Sequence, residues 1–121
     1  MPKILLAEDS DIIARIIVHK LEKENYSIFR LSTGEKVYET ALSLNPDLLI
    51  LDLLLPIRNG ITILRDLKSN PVTTNIPVII FTTNNNEEML QSAIKLGAVD
   101  YILKPFSTSE LTAKVKKHTN F

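Results

Sequence analysis

At 121 residues the chain is long enough for one domain with a proper core, and we expect residues 1–121 to form a single unit. Hydrophobic residues make up 45% and charged residues 23%; the 14 basic and 14 acidic residues cancel, which removes any general electrostatic reason to bind nucleic acid or anionic membrane. Cysteine is absent, which excludes disulfides and thiolate metal sites, and the apolar run at the N-terminus is too short for a signal peptide or a membrane span, so a cytoplasmic location is expected.

Lys3 to Ala7 reads as a short apolar strand ending on Glu8-Asp9. Ser10 and Asp11 are good N-cap residues, and Ile12, Ile13, Ile16, Ile17 and Leu21 then recur at helical spacing, with Arg15, His19, Lys20, Glu22 and Lys23 largely opposite them. Asn25 ends this helix, and Ser27 to Leu31 alternates as an edge strand does. Ser32-Thr33-Gly34-Glu35 has capping-box spacing and predicts the start of a second helix with Val37, Ala41, Leu42 and Leu44, ended by Asn45-Pro46.

Leu48 to Leu55 is aliphatic except for one carboxylate, Asp52, and a turn signal follows at Pro56 and Asn59-Gly60. A short apolar run bounded by turn residues reads as a strand buried on both faces, as in a parallel sheet. Ile61, Leu64 and Leu67 mark a third helix that stops near Ser69-Asn70-Pro71. Val78 to Phe81 is another buried strand, ending on Thr82-Thr83, and Asn84 to Asn86 make a polar loop. Met89, Leu90, Ala93, Ile94 and Leu96 define a fourth helix with Gly97 as its C′ residue. Asp100 to Leu103 is a fifth strand running into Lys104-Pro105, and Ser107-Thr108-Ser109-Glu110 caps a last helix. Its lysines 114, 116 and 117 read as a solvated face, and His19 and His118 as surface residues. The chain stops abruptly at His118-Thr119-Asn120-Phe121, which favours excision from a longer protein.

Strand and helix alternate five times, predicting an α/β, doubly wound parallel sheet with helices on both faces. In such a sheet all C-terminal strand ends lie at one edge, where ligands bind. That edge should gather Glu8 and Asp9, Asp52, Thr82 and Lys104. Three carboxylates together must share protons or hold a cation. One lysine leaves the cluster about two charges short, and an all-oxygen ligand set suits magnesium, whereas zinc would call for histidine or cysteine. A metal, a lysine and a hydroxyl around Asp52 suggest phosphoryl chemistry with Asp52 as nucleophile.

Over residues 3 to 117 these features resemble the receiver domain of two-component response regulators: Glu8-Asp9, Asp52-Leu53-Leu54-Leu55-Pro56 with Gly60, Thr82, and Lys104-Pro105. The resemblance implies a flavodoxin-like fold with strand order 2-1-3-4-5. It implies phosphoryl transfer to Asp52 from a histidine kinase or histidine phosphotransfer protein, with Mg2+ held by Glu8, Asp9, Asp52 and the Leu54 carbonyl. It also implies a cis bond before Pro105 and a switch pair, Thr82 and Tyr101. Their movement would remodel the surface of helix 4, strand 5 and helix 5 for an output domain or downstream protein. Leu54 stands where a polar residue is common and Thr83 where a very small one is; both are expected to restrict water and slow self-hydrolysis. Arg58, at an often apolar position, suggests no consequence. The competing readings are a phosphatase of the haloacid dehalogenase kind, from the Asp9-Ser10-Asp11 spacing, and a phospho-independent binding module.

Overall fold

The computed structural model describes residues 1–83 and 85–119; Asn84 of the expected asparagine loop and Asn120-Phe121 lie outside the described residues. Five strands alternate with five helices: β1 (Lys3–Ala7), α1 (Asp11–Lys23), β2 (Ser27–Leu31), α2 (Val37–Leu44), β3 (Leu48–Asp52), α3 (Gly60–Ser69), β4 (Val78–Thr83), α4 (Glu87–Leu96), β5 (Asp100–Lys104) and α5 (Thr108–His118). All strand pairings are parallel, and the order is β2-β1-β3-β4-β5. The doubly wound sheet expected from the alternation is therefore the one observed.

Because side chains alternate along a strand, the sheet has two apolar faces. Leu5, Ala7, Leu49, Leu51, Val78 and Ile80 pack with Val37, Ala41, Ile63, Leu64, Leu67, Leu90 and Ala93 of α2, α3 and α4. Ile4, Leu6, Leu48, Ile50, Ile79, Phe81 and Ile102 pack with Ala14, Ile17, Leu21, Leu111 and Val115 of α1 and α5. The central strand β3 is buried throughout, Asp52 included. Covering both faces is what makes an uninterrupted Leu-Leu-Ile-Leu run stable in a sheet.

Local signals account for most helix ends. Ser10 caps α1 by accepting from Ile13 N at 3.3 Å, Asn59 caps α3 through Thr62 N at 3.0 Å, and Ser107 caps α5 through Glu110 N at 3.0 Å. Asn25, Asn45 and Gly97 close α1, α2 and α4 with positive φ.

Three local expectations are corrected. On α1 the covered strip is Ala14, Ile17 and Leu21, while Ile12 and Ile16 are 72% and 45% exposed. The Ser32–Glu35 capping box does not form: Thr33 Oγ1 accepts from Glu35 N at 3.3 Å, and α2 begins after Lys36, whose side chain caps nothing. This loop answers to a longer-range contact, Gly34 N donating to Pro56 O at 3.0 Å. Finally, His118 is half-buried rather than a free surface residue. Its Nε2 lies 2.9 Å from Asp100 Oδ2, and both side chains are largely covered.

Candidate functional site

The register explains how the site assembles. Ala7 pairs with Leu51 and Asp52 with Phe81, so Glu8 leaves β1 level with Asp52. Both continue the alternation of the face covered by α1 and α5, as does Lys104, which follows Ile102 on β5. Lys104 starts further along, opposite Thr83, and its side chain runs back over the Phe81 ring, Nζ 4.7 Å from the centroid. Phe106 braces that ring edge-on at 5.0 Å. The ammonium thus lies 2.8 Å from Glu8 Oε1 and 3.0 Å from Asp52 Oδ2. The bond joining Lys104 to Pro105 is cis.

Glu8 is fully buried, and its Oε2 accepts from Ser10 N at 2.9 Å. Its Oε1 is ion-paired with Lys104 Nζ at 2.8 Å. Burial pushes the Glu8 carboxyl above the ordinary glutamate range, and the Asp52 charge adds to that. Lys104 and the Ser10 N–H oppose the shift without cancelling it. For Lys104 the balance goes the other way: burial works against the ammonium, but Glu8 and Asp52 outweigh it and hold its pKa above the usual lysine value. Leu54 N donates to Asp52 Oδ1 at 2.9 Å, which fixes the rotation of that carboxylate.

Oxygens of Glu8, Asp9 and Asp52 all lie within 4.8 Å of one another. Three carboxylates share one lysine, so the all-oxygen donor set keeps an excess of negative charge and fits a hard, oxygen-seeking cation.

Thr82 and Tyr101 stand apart from this cluster. Thr82 is buried, and its register parity follows Ile80 toward the α4 side, where Asn86 Nδ2 donates to its Oγ1 at 3.1 Å. Tyr101 points outward, 40% exposed, with Lys114 Nζ 4.9 Å from its ring centroid and bonded to its carbonyl oxygen. Lys114 also pairs with Asp100 and Glu110, each at 3.3 Å, so it is engaged rather than solvated. The Leu54 side chain is 52% exposed beside the cleft. Arg58, which suggested nothing from sequence, joins α3 to α2 through Asp66 and, at 4.0 Å, Glu39. Phe81 and Asn86 were missed as partners of the site. Both follow from strand register and loop closure, and no sequence spacing announces them.

A doubly wound sheet in this order, with acids on two adjoining strand ends facing a lysine from a third, is a flavodoxin-like α/β domain with a charged site at the C-terminal edge of its sheet. The chain belongs to the response regulator receiver domain family, whose sequence model matches residues 4–116. It is 40% identical over 116 residues to the response regulator ArlR of Staphylococcus saprophyticus, and 36% identical over 116 residues to the phosphate regulon transcriptional regulatory protein PhoB of Rhizobium meliloti. Each match covers 96% of this chain and 51% of the relative, so the chain spans about half the length of the curated relatives it matches. The BeF3-activated N-terminal receiver domain of RstA from Klebsiella pneumoniae superposes with a TM-score of 0.88 at 28% identity, covering 98% of this chain and 99% of that one. The haloacid dehalogenase reading is not favoured: Asp11 turns away to Arg30, 2.8 Å from its Nη1. Among the described residues no helix is long and apolar enough to cross a membrane.

Proposed function

We propose that this receiver domain accepts a phosphoryl group on Asp52 from a phosphohistidine of a histidine kinase or phosphotransfer protein. The observation that carries this reading is the shared ammonium: Lys104 Nζ between Asp52 Oδ2 and Glu8 Oε1. A carboxylate oxygen of Asp52 attacks phosphorus as the P–N bond breaks. The electron pair leaves on the donor imidazole, which takes up a proton, and a new P–O bond leaves an acyl phosphate on Asp52. Lys104 moves with the charge, from the carboxylate toward the phosphoryl oxygens. Glu8, Asp9, Asp52 and the Leu54 carbonyl would hold Mg2+, which when bound supplies further positive charge to the phosphoryl oxygens. Water then hydrolyses the acyl phosphate to free phosphate, so no external substrate is turned over.

Thr82 leaves Asn86 to bond the phosphoryl group, and Tyr101 turns inward into the groove it lines with Thr83, Leu90, Ile94 and Leu103. That reshapes the face of α4, β5 and α5 for an output domain or downstream protein, as a shift between two packings. The half-exposed Leu54 and Thr83 slow hydrolysis by limiting water at the phosphoryl group; a lifetime of seconds would overturn that part. Incubation with acetyl phosphate and Mg2+, read by intact mass, tests the whole reading: one added phosphoryl group in the wild type and none in Asp52→Ala.

A further inference from the structure

Arg30 lies on the edge strand β2, outside the expected site, yet all three guanidinium nitrogens are engaged. Nε and Nη2 donate to the Glu8 carbonyl oxygen at 2.9 and 2.7 Å, and Nη1 donates to Asp11 Oδ1 at 2.8 Å. The Asp11 carboxylate is 78% exposed, so that ion pair is screened and contributes little. The forked, charge-assisted grip on one backbone carbonyl is the stronger contact.

That carbonyl belongs to the peptide linking Glu8 to Asp9. Glu8 is further held by its N–H to Leu31 O at 3.1 Å and by its carboxylate on Ser10 N. Asp9 has no such support: it is exposed, and no hydrogen bond to its carboxylate is found among the described residues. Arg30 thus fixes the peptide on the strand side of Asp9, while Ser10, bonded to Glu8 Oε2 and capping α1, fixes the helix side.

We propose that Arg30 is a positioning residue for the cation site, holding the Glu8–Asp9 peptide so that the Asp9 carboxylate faces Asp52. This rests on the phosphoacceptor reading above. It makes a prediction opposite in sign to charge alone. Removing the cation bonded to the Glu8 carbonyl, one peptide from the acidic cluster, should strengthen Mg2+ binding electrostatically, whereas loss of a positioning contact should weaken it.

The test is a Mg2+ titration at fixed ionic strength, followed by amide 15N–1H shifts, on wild type, Arg30→Met and Arg30→Lys, with urea unfolding as the control for global stability. Arg30→Met is expected to bind Mg2+ roughly tenfold more weakly, as for other groups that orient metal ligands. Arg30→Lys keeps the charge and one donor and should fall between. Equal or tighter binding by a folded Arg30→Met overturns the inference while leaving the phosphoacceptor reading intact. Should Met unfold the chain, Arg30→Lys decides: weaker binding supports the role and an unchanged affinity overturns it. A wild type that binds no Mg2+ at millimolar concentrations overturns both.

Discussion

Lys104 Nζ lies 3.0 Å from Asp52 Oδ2 although Asp52 is level with Phe81 and Ile102 rather than with Lys104 itself. The reach matters because Glu8 and Asp52 are buried and Lys104 is the cation that faces both. Removing one partner of a covered ion pair leaves the other charges uncompensated, a loss of about 3 kcal/mol. Lys104→Met should therefore lower stability by roughly that amount in urea unfolding without metal, and Mg2+ should restore part of it. Unchanged stability would contradict the electrostatic account.

Asn86 Nδ2 donates to Thr82 Oγ1 at 3.1 Å and to Thr83 Oγ1 at 2.8 Å, and its side chain makes no capping bond to α4. In the proposed switch the Thr82 hydroxyl leaves this contact to bond the phosphoryl group. A hydrogen bond of about 1 kcal/mol corresponds to roughly fivefold in an equilibrium. Asn86→Ala should bind beryllofluoride, a stand-in for the phosphoryl group, about fivefold more tightly in Mg2+. Weaker binding would mean that Asn86 helps the bound state instead.

Gly34 N bonds Pro56 O, and a Cβ at Gly34 would sit 1.8 Å from Arg58 O. The backbone leaves no room for a side chain, so Gly34→Ala should cost about 2 kcal/mol or more and displace the loop that carries Leu54. The same loop turns tightly, with Arg58 N on Pro56 O at 2.8 Å across Ile57 at φ 73°. A β-branched residue is strained there, and Ile57 is 74% exposed, so Ile57→Gly should gain about 1 kcal/mol in thermal or urea unfolding.

Asp100 gives a pH signature. Burial alone would raise its carboxyl, but His118, the Tyr101 N–H and Lys114 outweigh burial and hold it below the ordinary aspartate value of 3.8. A depressed carboxyl favours the ionised form in the fold. It contributes stability above pH 3.8 that is lost as pH falls through the lower folded value. Against wild type, Asp100→Asn should show a shallower stability loss in that acid window, measured as unfolding free energy against pH.

The parts read correctly from sequence are those governed by local pattern. The short β3 run, bounded by turn residues, reads as a strand covered on both faces, and Asn25, Asn45 and Gly97 are residues that tolerate the left-handed turn closing a helix. The rest depends on contacts between distant segments. The α1 sequence carries two apolar stripes, and which one the sheet covers is decided by where α1 docks; small Ala14 sits under the contact while Ile12 faces out. Ser32 to Glu35 has the spacing of a cap, but the Gly34–Pro56 bond shapes that loop. His118 reads as a surface residue, and the contacts of Arg30 go unread, because their partners, Asp100 and Glu8 O, lie 18 and 22 residues away.

The central claim is that Asp52 is the phosphoacceptor, served by Lys104 and an acid-bound Mg2+. Intact-mass measurement after incubation with acetyl phosphate tests it most directly. The account predicts a single added phosphoryl group in the wild type, lost with Asp52→Ala and lost when Mg2+ is chelated. An adduct that persists in Asp52→Ala, or no adduct in the wild type with Mg2+, would contradict it.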